Sequence, residues 1–128
     1  MDLHLETSEP REDVLVISIE GEVDVYTAPK FRECFQERWQ TNGSWGHVVL
    51  ECSEVSFFDS TAIGVSVYIL KSLRRRSPHG HLAIVVSAGG KLEHIMRITG
   101  LDKVYRVFQS MDSCLAGLAP VAVETPAT

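Results

Sequence analysis

Runs of β-branched and aliphatic residues alternate along this chain with segments whose apolar side chains recur every three or four positions, and this alternation restricts the fold most. The runs read as strands at Val14–Glu20, His47–Cys52, Leu82–Val86 and Val104–Phe108, with Leu3–Glu6 as an edge strand and Pro10 in the turn that follows it. Gly21 is expected to end the second strand. Between them lie helical segments of about ten to fifteen residues, long enough for the crossovers that parallel strands require.

Local signals set the helix limits. Thr27 before Ala28 and Pro29 reads as an N-cap, and Phe31, Phe35, Arg38 and Trp39 share one face of a first helix that ends near Asn42-Gly43. In residues 61–76, Ile63, Val67 and Leu70 with Ile69 and Leu73 repeat at spacings of three and four, and Gly64 reads as a close helix-packing position. A third helix carries Leu92, Ile95, Met96 and Ile98 and stops at Gly100; a last one starts near Ser110 or Asp112. The expectation is one α/β domain over residues 1–118, with a mixed, mostly parallel sheet of about five strands and helices packed mainly on one side. A flexible tail, 119–128, should follow.

Composition narrows the function. With 128 residues and 45% hydrophobic content the chain can build one core. A formal net charge of −5, relieved only by the run Arg74-Arg75-Arg76, argues against a direct nucleic-acid partner. No stretch approaches the roughly 20 apolar residues of a membrane span, and the polar start is no secretion signal, so a cytoplasmic protein without membrane insertion is expected. Cys34, Cys52 and Cys114 are odd in number and flanked by apolar residues, as buried reduced thiols are. His79 and His81 fall in a turn without further ligands at metal spacing, so neither metal nor cofactor is expected.

The candidate site is the junction Phe57-Phe58-Asp59-Ser60-Thr61-Ala62-Ile63-Gly64, where a strand gives way to a helix. Asp59 can cap the helix or position the Ser60 hydroxyl; Ser60 can itself be a cap or be a phosphate acceptor. One of Phe57 and Phe58 should be exposed beside Ser60. A phosphate there would be favoured by the helix dipole and by free N–H groups at the helix start. A nucleophilic Ser60 with His94 or His81 as base lacks the Gly-x-Ser-x-Gly elbow, and Gly89-Gly90-Lys91 lacks the spacing of a phosphate-binding loop.

The segment Val48–Ser53 followed by Val55–Val65 resembles the signature of STAS domains, most closely the bacterial anti-sigma factor antagonists. Gly21-Glu22-Val23-Asp24 is similar to that family's element before the first helix, and Ile98–Val104 to its Ser-Gly-Leu segment. Thr61-Ala62 stands where Ser-Gly is more usual, and Glu51 where aspartate is common.

The resemblance implies a small regulatory domain rather than an enzyme. Its unphosphorylated form would bind an anti-sigma factor with serine kinase activity and so free a sigma factor. That kinase would phosphorylate Ser60, with Thr61 as a second possible acceptor, and a serine phosphatase would reverse the change. Asp24, Thr27, Phe58, Asp59, Ser60 and Thr61 would meet the partner. The alternative use of such a domain is as a scaffold subunit of a signalling assembly or an accessory of a lipid transporter.

Overall fold

The computed structural model describes residues 2–42 and 44–121, Asn42 by its backbone alone. Elements run β1 (Leu3–Arg11), β2 (Val14–Val23), α1 (Ala28–Asn42), β3 (His47–Phe58), α2 (Ser60–Arg76), β4 (Leu82–Val85), α3 (Lys91–Ile98), a 3₁₀ turn (Leu101–Lys103), β5 (Arg106–Phe108) and α4 (Met111–Gly117). The five strands lie in sequence order; β1 and β2 pair antiparallel and every later pair is parallel.

That order explains where the helices go. Each crossover from β2 onward steps to the next strand in the same direction, and connections of one hand then stack their helices on one face. Phe31, Phe35 and Trp39 of α1, Ile69 and Leu73 of α2, and Leu92 and Met96 of α3 accordingly share one core with Ile17, Leu50 and Ile84 of the sheet. Burying a side chain the size of Phe31 or Phe35 contributes about 1.5–3 kcal/mol. Among the described helices only α4 packs on the other face, through Cys114 and Leu118 against Val14, Val49 and Val85.

Several boundaries differ from the local reading. β1 runs on through Pro10, because an edge strand tolerates a residue without an N–H, and its register slips between Ser8 and Arg11. Gly21 does not end β2. With φ at 108° it sits where the register shifts, and a Cβ there would lie 2.0 Å from the Asp2 carbonyl oxygen. Val104 and Tyr105 precede β5 rather than join it.

β3 runs six residues beyond Cys52, held by β2 through two bulges. Ser18 to Glu20 spans Glu51 to Glu54, and Gly21 to Glu22 spans Val55 to Phe57, so β3 carries one extra residue at each place. The two insertions cancel in parity. Phe58 therefore points into the core like Cys52, and Phe57 points out.

At the opposite end of the sheet Arg11 donates to both carboxylate oxygens of Asp13 and to the carbonyls of Leu115 and Leu118, stapling the β1–β2 turn to α4. His47 Nδ1 accepts from the His81 N–H and its Nε2 donates to the Ala119 carbonyl, with the two rings stacked 5.7 Å apart. The Val121 N–H donates to Asp13. Residues 119–121 of the expected tail are thus hydrogen-bonded or adjacent to residues that are, and 122–128 lie outside the described residues. His81, read as part of a surface loop, is half-buried against His47.

Candidate functional site

Where β3 ends, the chain turns into α2 at Asp59, whose extended backbone (φ −95°, ψ −170°) makes it the N-cap. Its Oδ1 accepts from the Thr61 N–H at 2.9 Å and the Ala62 N–H at 3.1 Å, and also from the Thr61 hydroxyl. The Ile63 N–H closes on the Asp59 carbonyl at 3.0 Å. The Thr61 hydroxyl, above all, holds the Asp59 carboxyl below the usual carboxylate range; burial opposes this, and the N–H groups of Ala62, Thr61 and Val25 reinforce it.

The cap is therefore Asp59, and Ser60 is the first helical residue. Its side chain is exposed and hydrogen-bonds to no described residue. One expectation changes as a result. The N–H groups of Thr61, Ala62 and Ile63 are already taken by Asp59, so they are not free to receive a phosphate on Ser60, although the helix dipole still favours it.

The loop between β2 and α1 is joined to this turn, because the Asp59 N–H donates to the Val23 carbonyl at 3.2 Å. Asp24 follows directly. Its Oδ1 accepts from the N–H groups of Tyr26 and Thr27, and the Thr27 hydroxyl accepts from the Asp24 N–H and donates to the Glu22 carbonyl. Both residues are buried. The Thr27 hydroxyl thus turns back into the loop instead of capping α1. What the closed loop offers to solvent is Val25 and Tyr26, 58% and 83% exposed. These two apolar residues inside a polar loop were the sequence signal for a surface patch, and the local reading passed over them.

Phe58, expected to meet a partner, is 5% exposed and packs in the core, and what it presents outward is a part of the wall of the cleft beside Phe57. Phe57, 49% exposed, takes its place at the surface. A cleft of about 260 Å³ opens beside it, bounded by Val55 and Asp59 on one side and by Lys91, Leu92 and Ile95 of α3 on the other. This is below the range of sites that enclose a drug-sized ligand. Gly64 also departs from expectation: it faces solvent, and a Cβ on it would meet nothing within 4 Å.

Elsewhere the chemistry is sparse. Among the described residues no group of three His, Cys, Asp or Glu side chains could hold a metal ion, and no helix is long and apolar enough to cross a membrane. The Arg76 guanidinium lies 4.8 Å over the Trp39 ring. Arg74 and Arg75 are exposed at the end of α2.

The geometry can be set beside known proteins. The STAS domain model matches residues 7–114. The anti-sigma-B factor antagonist of Listeria monocytogenes is 33% identical over 109 residues, covering 84% of this chain and 90% of that one. An anti-sigma factor antagonist from Mycobacterium paratuberculosis superposes with a TM-score of 0.78 at 22% identity, over 91% of this chain and 94% of its own. The Bacillus anti-sigma factor antagonist SpoIIAA, solved both unphosphorylated and phosphorylated, superposes with TM-scores of 0.66 and 0.64 at 12% and 13% identity; each comparison covers 89% of this chain, and 96% and 98% of SpoIIAA respectively. A matched model that spans most of the length and a relative with the same coverage lead to one conclusion: the chain belongs to the STAS domain family, among the anti-sigma factor antagonists.

Proposed function

We propose that this chain is the antagonist in a partner-switching pathway, and that a serine kinase acting as an anti-sigma factor binds it over Ser60 and phosphorylates that residue. The observation that carries the proposal is the contrast between two adjacent hydroxyls. That of Ser60 is exposed and unengaged; that of Thr61 is held by the Asp59 carboxylate. A phosphate on Thr61 would drive a dianion against Asp59 and break the cap, whereas one on Ser60 leaves all the cap bonds standing. Ser60 is accordingly the acceptor and Thr61 a lock on Asp59. Asp59, whose Oδ1 is committed to the cap, shapes the turn that presents Ser60.

The same contrast supplies the switch. A phosphoserine carries about −1.5 to −2 charges. At Ser60 it would stand next to the Asp59 carboxylate, with the N–H groups of Thr61 and Ala62 already bonded. In water this is tolerable. Under a docked protein it is not, because burying unpaired charge costs several kcal/mol, and about 2.7 kcal/mol already lowers affinity a hundredfold. Around Ser60, Tyr26, Val25 and Phe57 would form the apolar part of the contact, with Asp24 and Thr27 holding the loop that presents them. A phosphatase that removes the phosphate restores binding.

To test this, the chain is incubated with candidate anti-sigma kinases and ATP, the modified residue is mapped by mass spectrometry, and affinity is measured before and after. Phosphate on Ser60 alone, with binding weakened at least about a hundredfold, is expected. Modification at Thr61, or a phosphoprotein that binds as well as the unmodified chain, contradicts the reading.

A further inference from the structure

Gly64 lies one helical turn beyond Ser60, on the same side of α2. Glycine is, after proline, the least favourable residue for a helix interior, so a glycine here needs a reason. The fold provides none: its φ is not positive, it is exposed, and a Cβ would touch nothing within 4 Å. Gly89 and Gly100 are equally open, but their positive φ of 72° and 76° accounts for glycine, and close approach accounts for others. Gly21 and Gly80 have backbone oxygens 2.0 Å and 1.9 Å from where a Cβ would be.

Helix geometry says what a side chain at 64 would cover. Every Cα–Cβ bond tilts toward the helix N-terminus, so a helical residue shields the turn before its own Cα. For position 64 that turn contains Ser60. Phosphoryl transfer brings the donor phosphorus within about 3–3.5 Å of the attacking oxygen, with the leaving group in line, and both the nucleotide and the kinase segments covering it need that space.

We infer that Gly64 is an access residue: the absence of a side chain there keeps the Ser60 hydroxyl open to the nucleotide and main chain of the docking kinase. The inference rests on the proposed phosphorylation of Ser60 and adds a determinant of reactivity that touches neither the hydroxyl nor the cap. Fold stability and reactivity are set against each other at this one position.

The test is the series Gly64→Ala, Gly64→Leu and Gly64→Gln, with Lys71→Leu, further along α2, as a control for an added apolar side chain. Each is assayed for thermal unfolding and for kcat/KM of Ser60 phosphorylation by the kinase that modifies the natural chain. Gly64→Ala should raise the melting midpoint by roughly 3–5 °C. Phosphorylation should fall along the series, by about tenfold or more for Gly64→Leu, while Lys71→Leu stays near the natural rate. Natural kcat/KM in Gly64→Leu overturns the inference while leaving the acceptor assignment intact. Absence of phosphate from Ser60 in the natural chain overturns both. A variant that loses rate and also melts earlier counts against it, since a structural role would then explain the loss.

Discussion

Replacing Asp59 by alanine tests who caps α2, and the structure fixes the size of the answer. The substitution removes the acceptor for the N–H groups of Thr61 and Ala62 and for the Thr61 hydroxyl. Loss of an N-cap costs about 0.5–2 kcal/mol. With the backbone donors only partly exposed, the upper half of that range applies, and a domain of this length should melt roughly 4–8 °C lower. Ser60→Ala removes a hydroxyl that bonds to nothing described, so its effect should stay within about 0.5 kcal/mol. Asn at 59 keeps an accepting oxygen and should recover most of the loss.

The pH dependence has a definite sign. Because the folded-state pKa of Asp59 is depressed, its contribution is fully present above the ordinary carboxylate pKa and is lost as pH falls through the lower folded value. The gap between the natural chain and Asp59→Ala, measured by urea denaturation, should be constant from pH 7 to about 5 and narrow below about 4. Equal losses for Ser60→Ala and Asp59→Ala would refute the assignment, and a gap that widens in acid would refute the electrostatic part of it.

Two further outcomes follow from the packing. Gly21→Ala should destabilise by more than about 1 kcal/mol, since both the φ of 108° and the Asp2 carbonyl 2.0 Å away oppose a Cβ; unchanged unfolding would refute this. Under native conditions a thiol reagent should label Cys34 first, because Cys52 is wholly enclosed with its pKa pushed far up by burial and Cys114 is pushed up to about 11 by the same cause. Simultaneous reaction of all three would mean that the two cores open together.

Much of the site was legible because its signals are local. An aspartate followed by two hydroxyl residues between a strand and an amphipathic helix indicates a capped helix start, and the capping atom lies two and three residues from its donors. Less legible was which residue caps, since Asp59 and Ser60 are both good caps and only their placement decides. Phe57 and Phe58 were undecidable for a different reason. Their orientation depends on two extra residues in β3, and these are defined only against β2, more than thirty positions away.

The order of strands and helices, the parallel core and the three helices on one face followed from periodicity and from the handedness of crossovers, which act within each βαβ unit. Tertiary structure decided what depends on distant partners. The full length of β3 came from its pairing with β2, the place of α4 from the apolar face left bare on the far side of the sheet, and the burial of Asp24 and Thr27 from their closing on each other. Gly64 belongs to this second group. A glycine in a helix can serve packing or exposure, and only the neighbours that surround it, or fail to, tell which.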